Sequence, residues 1–135
     1  MSEEPVWVSV EDALLFHGQL IAGFGGAAGV RDEGLLASAL ARPQQIFAYE
    51  SRDLAVLAGT YAHGIVRNHP FVDGNKRVAF TVTRVFLGIN DVAFDPPETE
   101  AVVMLEGLAS DDLTLVEFVA WVRKHSTARS RRRRR

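Results

Sequence analysis

Between Asn75 and Leu87 the apolar residues Val78, Ala79, Phe80, Val82, Val85, Phe86 and Leu87 leave almost no polar side on a helix. A surface helix keeps one polar face, so a helix lacking one has to be enclosed by other elements. The remainder of this 135-residue chain must therefore wrap it. At that length, with 47% hydrophobic residues, the chain fills one core and falls short of two comfortable domains. We expect a single all-α domain over residues 1–125, with the helix that begins at Asn75 in the centre.

The wrapping elements are legible from spacing. Val10, Ala13, Leu14, His17, Leu20, Ile21 and Phe24 recur at three- and four-residue steps, with Ser9 and Asp12 placed as a cap and Gly25-Gly26 as a stop. On that apolar face His17 reads as a hydrogen-bonded, half-buried structural residue. Asp32–Ala41 predicts a second, shorter helix ended by Pro43, and a third spans about Asp53 to Arg67. Pro96-Pro97 imposes an extended connection before a helix over Glu98–Leu108. Thr114 and Glu117 form a capping-box pattern that opens a last helix reaching Lys124. Val6-Trp7-Val8 and Val92-Ala93-Phe94 are β-rich, and together they are the candidates for one minimal β-hairpin-like sheet. Arg84 is placed to pair with Glu50 or Asp53.

The formal net charge of −2 conceals an asymmetry. All 17 acidic residues precede Arg123, and eight of the 15 basic ones lie in Arg123–Arg135, which ends in five arginines. Such a run repels itself and cannot be buried, so residues 126–135 are expected to be a disordered arginine-rich tail. Two roles stay open for it, a solvated counterweight to an acidic body or a contact with nucleic acid or an acidic partner. The body itself shows no recognition-helix pattern, so nucleic acid is not the expected partner outside the tail. Without cysteine there is neither a disulfide framework nor a thiolate metal site. The acidic start and the lack of an apolar run of roughly 18 residues exclude a membrane partner and point to the cytoplasm.

The chemistry concentrates between the third helix and the enclosed one, in His69-Pro70-Phe71-Val72-Asp73-Gly74-Asn75-Lys76-Arg77. Gly74 permits a tight turn, after which Asn75, Lys76 and Arg77 occupy the first turn of the helix. A helix N-terminus presents unpaired N–H groups and the positive end of the dipole, and two added cations make it an anion site suited to phosphate. A histidine just outside can take a proton from an attacking hydroxyl, and a carboxylate such as Asp73 can hold the magnesium that accompanies nucleotide phosphates. Phosphoryl or nucleotidyl transfer is the leading chemistry. No zinc-binding His-Glu-x-x-His spacing and no Walker A loop occurs in the sequence.

This nine-residue stretch resembles the Fic motif, His-Pro-Phe-x-Asp/Glu-Gly-Asn followed by Gly or Lys and then Arg. Phe24-Gly25-Gly26, Gly29–Leu36 and Ser38–Pro43 are similar to the N-terminal part of death-on-curing (Doc) toxins, and together the resemblance covers about residues 5–125. It implies a compact Fic/Doc-like helical bundle that binds ATP and Mg2+ and modifies a hydroxyl of a target protein. By the same carry-over His69 is the catalytic base, Asp73 the metal ligand, Gly74, Asn75, Lys76 and Arg77 the phosphate-binding set, and Phe71 the structural anchor of the motif.

Two departures from the AMP-transferring pattern matter. Lys76 stands where those proteins have glycine, and Phe80 where they carry a second arginine; both departures are shared with Doc. The resemblance therefore implies the toxin of a type II toxin–antitoxin system, a kinase of a Ser/Thr hydroxyl on elongation factor Tu that inhibits translation. AMP transfer is the alternative. An internal inhibitory helix is not expected, because Val102-Val103-Met104-Leu105-Glu106-Gly107 has the Glu-Gly pair without the preceding hydroxyl. Control should come from a cognate antitoxin whose disordered end folds onto the toxin. Arg31 and Asp32 fit either a target-gripping loop or a plain turn.

Overall fold

The small residues of the third predicted helix decide how the bundle closes. In the computed structural model, which describes residues 3–129, that helix is α3 (Leu54–Asn68), and α1 (Val10–Phe24) and α2 (Glu33–Tyr49) precede it. It is followed by α4 (Asn75–Ile89), β1 (Val92–Phe94), α5 (Glu98–Ser110), α6 (Leu115–Lys124) and β2 (Ser126–Ala128). The fold is all-α apart from the two short strands. Gly59 lies so close to α6 that a Cβ there would come within 2.7 Å of Val119, and one at Gly64 would come within 3.2 Å of the Ala39 backbone on α2. Glycine at these positions lets neighbouring backbones approach closely. Helix α3 consequently packs against α2, α4, α5 and α6 at once.

The helix expected at the centre, α4, shares that place with α3. It buries Asn75, Val78, Ala79, Val82, Thr83, Phe86 and Leu87, leaving Lys76, Arg77 and Arg84 exposed. Its neighbours are α1, α3, α5 and β1. The capping boxes expected at Ser9/Asp12 and Thr114/Glu117 are both formed, and Asp53 caps α3 through the Ala55 N–H.

Helix α2 departs from expectation, since it runs through Pro43 to Tyr49 instead of ending at Ala41. Proline withholds one helical N–H, but Pro43 and Ile46 are both buried in the core beside α3, and that burial offsets the lost bond. Phe47 adds an edge-on contact with Trp7 at 5.6 Å.

The sheet is also a correction. Strand β1 pairs antiparallel with β2, with Ala93 opposite Thr127, and not with Val6-Trp7-Val8. The backbone of Val6 is instead matched by the side-chain amide of Asn90, which accepts from the Val6 N–H at 2.8 Å and donates to its carbonyl at 2.9 Å. Val8 is matched by the Tyr61 hydroxyl, which accepts from its N–H at 2.9 Å and donates to its carbonyl at 3.2 Å. With side chains answering these groups, no strand partner is needed. Ser126–Ala128, expected in the tail, thus belongs to the domain, and the Arg129 N–H donates to the Asp91 carbonyl. The rest of the expected disordered tail, 130–135, lies outside the described residues. Arg84 pairs with Asp95, the residue after β1, not with Glu50 or Asp53, and Asp53 pairs with Arg123. Among the described residues no helix is long and apolar enough to cross a membrane.

Burial pushes the Tyr61 phenol up to about 12, so its hydroxyl stays protonated and available to both groups of Val8. Tyr61→Phe should leave two buried polar groups of Val8 unsatisfied and lower unfolding free energy by about 1–3 kcal/mol. Chemical denaturation at neutral pH measures this, and a midpoint equal to that of the unaltered protein would contradict the assignment.

Candidate functional site

The loop between α3 and α4 is built around Phe71, whose side chain is fully buried. Its ring stacks on His17 of α1, with centroids 4.1 Å apart and planes 12° from parallel. Its backbone is clasped by Asn75, whose side-chain oxygen accepts from the Phe71 N–H at 2.9 Å while its amide donates to the Phe71 carbonyl at 3.0 Å. The His17 Nε2–H donates to the Asp73 carbonyl at 2.9 Å, which requires the proton on Nε2. These contacts set the conformation of the loop from below.

From the other side comes the segment after α1. Val30 bridges Phe71 as an isolated antiparallel pair, the Val72 N–H donates to Gly29, and the Arg31 and Asp32 N–H groups donate to the Pro70 carbonyl. The Ala27 N–H donates to Asp73 Oδ2 at 3.2 Å, and the Gly74 N–H donates to Asp73 Oδ1 at 2.8 Å. Gly26, at φ +113°, lies so near that a Cβ would be 2.7 Å from Asp73 Oδ2. These two backbone bonds, Ala27 first, hold the exposed Asp73 carboxyl below its ordinary range, with the Arg77 cation adding to the effect. Asp73 is therefore ionised at neutral pH.

His69 closes α3 in the left-handed region, at φ 52° and ψ 53°, and its side chain is exposed. Gly74 opens α4 at φ 80°, a conformation that glycine adopts without strain. Lys76 and Arg77 project from the first turn of α4, and Arg77 lies over the Phe24 ring at 5.2 Å. A cleft of about 390 Å³ is lined by His69, Asp73, Gly74, Asn75, Lys76 and Arg77. Phe24, Gly25, Val66 and Ala109 complete its lining. All the residues singled out in the sequence for chemistry line it. Phe71 does not, being the anchor beneath, and the Asn75 side chain is spent on the loop, so what α4 offers an anion there is backbone.

Residues 7–87 match the Fic/DOC family. The chain belongs to that family. It is also 39% identical over 103 residues to Toxin Doc of Mycolicibacterium smegmatis (strain ATCC 700084 / mc(2)155), a match covering 72% of this chain and 78% of that protein.

Within this Fic/DOC site, three contributors were not assigned to the site from the sequence. His17 was read as structural without its partner, and the structure gives it Phe71 and the Asp73 carbonyl. Gly26 carried a signal only as half of the pair that stops α1. Arg31, left between two readings, donates from Nε to the His69 carbonyl at 2.7 Å and from Nη2 to the Asn68 carbonyl at 2.8 Å. Beside the first cleft lies a more apolar one of about 580 Å³ between α1, α4 and α5, lined by Leu20, Phe80, Val102, Leu105 and Glu106 and sharing Lys76 and Arg77.

Asn75→Ala should release both backbone groups of Phe71, costing about 1–3 kcal/mol for each left unsatisfied. Thermal denaturation and faster hydrogen exchange at the Phe71 amide are the measurements. An unchanged exchange rate would mean that the loop is held without this clasp.

Proposed function

We propose that this protein is the toxin of a toxin–antitoxin pair and a protein-modifying phosphotransferase, acting in the cytoplasm on a Ser/Thr hydroxyl of a component of the translation machinery. The observation that carries the reading is the one cleft lined by an exposed histidine, an ionised carboxylate, a helix N-terminus and two cations. Membership of the Fic/DOC family and the similarity to a protein named Toxin Doc support it.

In this reading the α4 N-terminus, with the backbone of Gly74 and Asn75, receives ATP phosphates, and Lys76 and Arg77 neutralise their charge. The Asp73 carboxylate fits a magnesium ion held jointly with phosphate oxygens, since one protein carboxylate is the usual share when phosphate supplies other ligands. Bound magnesium would supply charge neutralisation as the transferred group leaves. His69 accepts the proton of the acceptor hydroxyl, whose oxygen bonds to the γ-phosphorus as the bond to the bridging oxygen of ADP breaks.

Elongation factor Tu is the acceptor that the resemblance to Doc implies, and inhibition of translation would follow from its modification. Lys76 favours terminal-phosphate transfer over AMP transfer, since a lysine side chain at this position would occupy space that a glycine would leave to nucleotide phosphates lying against the helix. Phe80 packs toward Phe94 and brings no charge to the cleft. Control by a cognate antitoxin is supported by the similarity to a protein named Toxin Doc. Glu106 of α5 lines the neighbouring cleft together with Lys76 and Arg77 and forms no ion pair with either among the described residues.

ATP labelled at the γ-phosphate should mark a lysate protein, and ATP labelled at the α-phosphate should not. His69→Ala should lower the rate by about 10²–10⁴-fold. Lys76→Gly should abolish or redirect transfer. Label arriving from the α-phosphate with the unaltered protein would replace the kinase reading with AMP transfer.

A further inference from the structure

His69 is the exposed end of a buried framework, and its ring makes no hydrogen bond among the described residues. What fixes the ring's place is therefore its backbone. That backbone is in the left-handed region, which a residue with a Cβ occupies only when its surroundings hold it there. The His69 N–H donates to the Ile65 carbonyl at 3.0 Å, which continues the helix and does not select the residue's own ψ. The carbonyls of Asn68 and His69 have no helical N–H to accept from, because α3 ends there.

Arg31 takes up both. Its Nε–H donates to His69 at 2.7 Å and its Nη2–H to Asn68 at 2.8 Å. The same residue's backbone N–H donates to Pro70 at 2.6 Å, so one residue grips three consecutive carbonyls of the motif loop. A guanidinium presents two parallel donors in a rigid plane, and a lysine ammonium cannot reproduce that fork. The far side of the same turn is tied by the Asn68 side chain, which donates to the Leu35 carbonyl at the start of α2.

We propose that Arg31 is the positioning residue for His69, setting where the imidazole sits by clamping the peptide carbonyls on either side of its Cα. This rests on the reading of His69 as the general base. Arg31 does not touch the reacting atoms in this role, and it acts on the rate of the proton transfer and not on nucleotide affinity. A displacement of about 1 Å in a reacting group can cost on the order of 10²-fold in rate.

The test compares Arg31→Ala and Arg31→Lys with the unaltered full chain, following label transfer from γ-labelled ATP to a lysate protein together with NMR of the histidine rings. The expected result is that kcat falls by about 10²-fold in Arg31→Ala, with KM for ATP and the thermal midpoint little changed. Arg31→Lys should recover only part of the loss. The His69 ring resonances should move toward those of free histidine while the His17 resonances, stacked on Phe71, stay in place. Unaltered kcat in Arg31→Ala would overturn the proposal, and so would a loss that appears in KM or is matched by movement of the His17 signals. His69→Ala assayed in parallel separates the two readings: transfer that survives it removes the base assignment, while the NMR arm still decides whether Arg31 sets the His69 ring.

Discussion

The buried ring of Phe71 and the Asn75 side chain that clasps its backbone hold α3 and α4 at a fixed separation. The clasp is local, four residues apart in sequence, yet everything chemical in the cleft hangs on it. His69 lies two residues before Phe71, and Lys76 and Arg77 begin just after Asn75. Were the clasp loose, the histidine at one helix end and the cations at the other would have no defined distance. Burying two polar backbone groups there is tolerable only because the amide answers both at once. A side chain whose two ends accept and donate is what that geometry asks for.

Around this clasp the molecule divides labour between buried and exposed groups. His17, Phe71 and Asn75 are out of solvent, and each holds its neighbours in one arrangement. His69, Asp73, Lys76 and Arg77 are exposed and reach the cleft. The segment from Gly25 to Asp32 lies between these classes: it is exposed apart from the half-buried Val30, but its amides and Arg31 bind the motif loop from outside. Gly26 is glycine because Asp73 Oδ2 occupies the space where a Cβ would go. The ionised Asp73 carboxylate is then stabilised by the fixed dipoles of two backbone N–H groups as well as by the Arg77 charge.

The sequence reached much of this without coordinates. Helix periodicity located α1, α3, α4, α5 and α6, and the two capping boxes marked starts that the structure reproduces. Periodicity located residues on a face without saying how near another helix would come, so the approach of α6 at Gly59 and of α2 at Gly64 was not legible. Local rules also misplaced the end of α2, because a proline's missing N–H is visible in the sequence while the burial of Pro43 and Ile46 is not. The pairing of β1 went to Ser126–Ala128 for a similar reason. Three residues carry little register information, and the competing segment at Val6 to Val8 was satisfied by Asn90 and Tyr61, 84 and 53 residues away.

By itself, the sequence determined that a nearly all-apolar helix must be enclosed, that a glycine turn and two cations begin it, and that a histidine and an aspartate precede it. Those follow from residue type and short spacing, which act through local sterics and dipoles. Only the tertiary structure decided that Asn75 faces Phe71 and not the cleft, that His17 supports the Asp73 carbonyl, and that Arg31 grips the carbonyls of Asn68 and His69. Each of the last two joins residues more than thirty-five positions apart. Hydrogen-bond partners at that separation are set by how helices pack, and the packing of α1 against α4 depends on the volumes of side chains from the whole core.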